Sequence, residues 1–107
     1  MQGFQVTFIT EENRRHGHQP LPEWLLQTAK SMGIRGATAE AAYEGYGRDG
    51  RIHSAGFFDL ADRPVLVFMA VTQEQADTLF GRLENEKVNL FYIKAPVEFG
   101  TVGGSDG

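Results

Sequence analysis

Cysteine is missing altogether from these 107 residues. Its absence removes disulfides, thiolate metal sites and cysteine nucleophiles together, and suits a reducing cytosol. Positive charge is also short. A formal net charge of −4 argues against nonspecific binding to a phosphate backbone, which needs a basic surface. No apolar stretch approaches the ~20 residues of a membrane span. The N-terminus has no basic segment leading into a long apolar run, so no signal peptide is expected. Nor is any pair of carboxylates spaced for general acid–base work. With 41% hydrophobic and 11% aromatic residues, the chain has apolar material for one core. The expectation is one soluble, cytoplasmic domain over residues 1–100, with a glycine-rich flexible tail at 101–107, and no membrane insertion or nucleic-acid binding.

Periodicity changes cleanly along the chain. Phe4, Val6 and Phe8 alternate with Gln5 and Thr7, which predicts a half-buried strand. Residues 11–20 are polar, contain Asn13 and Gly17, and read as a loop. Pro22 suits the first turn of a helix. Leu21, Trp24, Leu25, Ala29 and Met32 then recur at helical spacing, and Gly33 fits the position just past the end. Residues 37–46 suggest a strand of weak alternation. The run from Val65 to Val71 is continuously apolar, as a central strand is. Thr72 with Gln75 resembles a capping box, and Ala76, Leu79, Phe80 and Leu83 give a second helix its buried stripe. Residues 88–94 close the order as a last strand.

Strand, helix, strand, strand, helix, strand predicts an α+β, ferredoxin-like βαββαβ fold, with an antiparallel sheet and both helices on one face. The other face then lacks a cover. Phe91, Tyr92 and Phe99, with Tyr43 and Tyr46, supply apolar surface that favours burial against other copies of the chain. Fold alone decides no function. The third strand carries no basic–aromatic RNA-binding signature. No compact glycine cradle joins the first strand to the first helix, as an acylphosphatase-like enzyme needs.

Chemistry gathers instead around Gly45-Tyr46-Gly47-Arg48-Asp49-Gly50. The spacing matches G-x-G-x-x-G, but no helix follows to make a dinucleotide site, and glycines also simply let a strand bend. Between two strands they suit a flexible loop with a phosphate-sized notch at its base. That pattern points to ligand-gated signalling more than to catalysis, so no enzyme is expected. Arg48 and Arg51 lie beside the glycines. Two histidines on the early loop, His16 and His18, with His53 later, offer the alternative of a shared metal, though such histidines are more often exposed. Trp24 fits a core or subunit contact. Asp59 and Asp62 fit a brace for the return to the third strand.

Gly33-Ile34-Arg35-Gly36-Ala37-Thr38, then Glu44-Gly45-Tyr46-Gly47-Arg48, then Pro64-Val65, then Phe91 to Glu98 resemble the PII signalling proteins in combination. Residues 16–26 and 50–60 narrow this to a PII-like branch catalogued as a domain of unknown function. The resemblance implies a homotrimer whose inter-subunit clefts hold an effector such as ATP, ADP or AMP. It also implies a loop over residues 48–60 that contacts a protein target, with a membrane transporter as one candidate. Carried over by position, Thr38 approaches the adenine, and Gly45, Tyr46, Gly47 and Arg48 form the loop base. Three features depart from the PII pattern. The glycine- and lysine-rich phosphate loop before the final strand is missing, Thr101 to Gly104 replaces the paired arginines, and the modified loop tyrosine has no counterpart. Arg14, Arg15 and Arg51, with Arg48, are therefore the candidate phosphate contacts. The alternative function is a metal- or anion-responsive trimer, or a small hydrolase using His16, His18 and His53.

Overall fold

In a computed structural model the described residues are 1–46, 52–54 and 63–103. Four strands form the main sheet: β1 (Gln2–Glu11), β4 (Ala37–Ala41), β7 (Pro64–Val71) and β8 (Phe91–Glu98). Their spatial order is β4-β7-β1-β8, with every neighbouring pair antiparallel. Helices α1 (Leu21–Ser31) and α2 (Gln73–Asn85) complete a βαββαβ, ferredoxin-like fold. Two short hairpins are added, β2 (Arg15–His16) with β3 (Gln19–Pro20), and β5 (Glu44–Tyr46) with β6 (Ile52–Ser54).

The period of two explains the layering. Val6, Phe8 and Thr10 on β1, and Val65, Val67, Met69 and Val71 on β7, are buried. They meet Leu21, Trp24, Leu25, Thr28 and Ala29 of α1 and Ala76, Leu79 and Leu83 of α2. Each fully buried Leu or Phe is worth about 1.5–3 kcal/mol. Both helices thus share one sheet face, as the order of elements predicted.

The helix ends follow their chemistry. The Thr72 hydroxyl accepts from the Gln75 amide, and the Gln75 side chain accepts from Thr72 N–H, a complete capping box. Past α1, Gly33 takes φ 80° while Ile34 N–H reaches back to Ala29 and Gly33 N–H to Lys30. The end of α2 repeats that motif with Val88 to Leu83 and Lys87 to Glu84, but the left-handed position holds Lys87, φ 58°.

Three expectations need correction. The 11–20 segment is not only loop: Gly17, at φ 65°, turns β2 into β3. Residues 37–46 are not one strand. Ala42 N–H still bonds to Pro64 O, but the chain then leaves the sheet and pairs with residues 52–54 in a separate hairpin. The last strand starts at Phe91 rather than Val88, because the α2 C-terminal turn consumes Lys87 and Val88.

The expected aromatic cover also divides. Register places Thr38, Glu40, Leu66, Phe68, Ala70, Gln5, Thr7, Ile9, Phe91, Ile93 and Ala95 on the helix-free face. Phe91 and Ile93 there are 66% and 52% exposed. Tyr92 points the other way and meets Phe80 edge-on, with centroids 4.8 Å apart. Tyr43 and Tyr46, both exposed, lie beyond the end of β4. Trp24 is a core residue.

Candidate functional site

Thr38 is the second residue of β4, opposite Phe68, on the helix-free face. Gly45 lies on β5, where an added β-carbon would stand 3.2 Å from the Pro64 ring. Phe68 lies four residue steps along β7 from Pro64, so Thr38 and the β5 hairpin are roughly 13 Å apart along the strand. Gly47, Arg48 and Arg51, and most of the 48–60 loop, fall outside the described residues, as do Asp59 and Asp62. Within that segment residues 52–54 are strand β6, so the base of the predicted loop is a β-hairpin.

β4 is a free edge. Ala42 N–H bonds to Pro64 O, and in an antiparallel ladder the bonded pairs alternate. Ala39 and Ala41 therefore direct their backbone groups away from β7. Beside this edge runs a groove of about 440 Å³ lined by Glu12, Pro20, Pro22, Glu23, Leu26, Ala39, Glu40, Ala41 and Val65. Its floor is apolar and its rim carries three carboxylates. Glu12 is paired with Arg63 at 3.2 Å. Such a rim repels phosphate, so this groove suits the neutral end of a ligand or a cationic partner. The register of the helix-free face places no Lys or Arg among its described positions either.

The two early arginines have local partners. Arg14 donates from Nη1 to the Asn89 carbonyl at 2.6 Å, and Arg15 donates to the His18 carbonyl. His16 Nε2 lies 2.8 Å from Glu86 Oε1, and its ring packs against Trp24 at 4.2 Å between centroids, the planes tilted by 45°. Arg82 Nε donates to the other Glu86 oxygen at 2.7 Å. The hydrogen bond from Arg82, then that from His16, holds the Glu86 carboxyl below the usual carboxylate range. Among the described residues no group of three His, Cys, Asp or Glu gathers for a metal.

Sequence reasoning missed this cluster, although Arg82 and Glu86 already stood at i and i+4 on a predicted helix. It also missed Lys94, whose Nζ lies 4.5 Å from the centroid of Phe4 and 5.6 Å from that of Phe80.

Residues 3–98 match the family described as "Uncharacterized ACR, COG1993", DUF190. The chain belongs to this family. A comparison with curated protein sequences found no match. Among solved structures, the DUF190 chain resembles a protein of Thermus thermophilus described as PII-like and signalling. The TM-score is 0.68 at 20% identity, over 91% of this chain and 88% of that one. It equally resembles CPII, a nitrogen regulatory PII-like protein from Thiomonas intermedia solved bound to ADP, AMP and bicarbonate. There the TM-score is 0.68 at 16% identity, over 94% and 91%. CutA1 from Oryza sativa follows with TM-score 0.60, 13% identity, and coverage of 95% and 85%. At these identities the likeness establishes a PII-like fold. Among the described residues of this DUF190 chain, no helix is long and apolar enough to cross a membrane.

Proposed function

We propose that this DUF190 chain is a cytoplasmic PII-like regulatory module that binds an adenine nucleotide, ATP, ADP or AMP, in clefts between three copies. Through the 48–60 segment, ligand binding then controls a target protein, a membrane transporter being one candidate. The observation that carries the reading is the near whole-length match to a PII-like fold that CPII presents with ADP and AMP bound.

Two features of the chain support the assembly. Its helix-free face exposes Phe91 and Ile93 to water, an apolar surface that association would bury. Its two sheet edges, β4 and β8, are unlike. Pairing one with the other is head-to-tail, and such contacts close into rings when the rotation allows. Thr38, on β4, then stands at a subunit boundary, and Gly45, Tyr46, Gly47 and Arg48 form the base of the regulatory segment. Arg48 and Arg51, beside the glycines, are the favoured phosphate contacts, with Arg14 and Arg15 as the second choice. Arg14 already donates to the Asn89 carbonyl and Arg15 to that of His18.

Calorimetric titration with ATP, ADP, AMP and cyclic nucleotides tests the ligand. Saturable heat is expected with at least one, and its absence at millimolar concentration removes the nucleotide reading. The nucleotide should be recovered unhydrolysed.

A further inference from the structure

The groove between α1 and β4 owes its shape to two alanines on an edge strand. Ala39 and Ala41 lie opposite Val67 and Val65, so they share the helix-covered face of the sheet. Because β4 has no further strand beside it, that face opens sideways past their short side chains. Leu26, Val65 and the rings of Pro20 and Pro22 complete an apolar floor.

Charge of one sign surrounds this floor. Glu23, in the first turn of α1, and Glu40, on β4, belong to the two walls, and Glu12 follows the end of β1. Arg63 offsets Glu12. Glu23 and Glu40 have no ion-pair partner among the described residues. The three carboxylates are too spread to gather around one metal ion. Beside Val65 and Glu12, the buried Thr10 Oγ1 and Arg63 Nε also lack hydrogen-bond partners. The inner end of the groove thus adjoins polar groups that the fold leaves unused.

We propose that this groove docks a basic segment of another protein, in which an apolar residue is flanked by Lys or Arg. The apolar side chain seats on the floor, and the flanking cations meet Glu23 and Glu40. Carboxylates on separate walls match cations spaced along a chain better than a single point charge. Exposed ion pairs each contribute little and are screened by salt, so the contact is transient and salt-sensitive. It uses the side chains of the groove and not the backbone edge of β4. It goes beyond the nucleotide reading and does not depend on it.

The probe is a fluorescein-labelled pentapeptide alternating lysine with leucine, read by anisotropy on the full chain, without nucleotide and at low salt. Saturable binding is expected. Glu23→Gln and Glu40→Gln should each weaken it about two- to fivefold, the range of exposed ion pairs. Glu84→Gln removes the same charge from α2, outside the groove, and should leave it unchanged. Amide shifts by NMR should centre on residues 20–26 and 39–41. Absence of saturable binding at millimolar concentration overturns the proposal. Equal weakening by Glu84→Gln overturns it too, since general charge attraction then explains the binding. So does competition by cadaverine at the affinity of the peptide, which makes the occupant a small cation.

Discussion

The carbonyl oxygen of Val71 lies 2.1 Å from where a β-carbon on Gly3 would stand. The ring of Phe99 closes the same space from the other side, at 2.7 Å. Backbone cannot yield as a flexible side chain does. Gly3→Ala is therefore expected to destabilise the fold by about 1–3 kcal/mol, as overpacking does. Urea denaturation should show a lower midpoint with an unchanged slope.

Lys87 offers the opposite case. It holds the left-handed position that ends α2, where a β-carbon crowds the carbonyl and costs roughly 1–2 kcal/mol. Its side chain is exposed. Lys87→Gly should raise stability by up to about 1 kcal/mol, the relief exceeding glycine's greater freedom when unfolded. A higher thermal midpoint by calorimetry is the expected result.

Ile93 stands half-exposed in the middle of β8 on the helix-free face, opposite Thr7. If three copies bury this face, Ile93→Glu places charges within their contact and should dissociate them. Light scattering should then fall from about three times the 11.9 kDa of one chain toward that single mass. A parent mass of one chain at working concentration removes the trimer.

Glu86 sets an acid dependence. Its carboxyl titrates below its ordinary value because Arg82, and then His16, donate to it. A group held below its unfolded value contributes stability above that unfolded value, about 4.3 for glutamate, and loses it as pH falls through the folded one. The stability gap between parent and Glu86→Gln should be open at pH 6 and narrow as the pH falls below the unfolded value of about 4.3. Denaturation curves across this range measure it.

Much of the fold could be read from local pattern. Val65 to Val71 announced a central strand by continuous hydrophobicity, and Thr72 with Gln75 announced the start of α2, because both signals lie within a few residues. What escaped was set by distance along the chain. His16 and Glu86 are seventy residues apart, and no spacing rule links a polar loop to a helix end. The split of residues 37–46 into two strands escaped too, since it depends on Pro64 and on pairing with residues 52–54. Thr38 could be nominated only through resemblance, whereas Gly45 stood in a glycine pattern that any bending strand shares. Nothing in ATAEA itself distinguishes a ligand-facing threonine from an ordinary edge residue.

Phe91 and Ile93 on an uncovered sheet carry one more consequence. If neighbours in solution are what dry that surface, folding and encounter become a single reaction, and dilution alone works as a denaturant. The temperature at which this chain melts would then climb with its concentration.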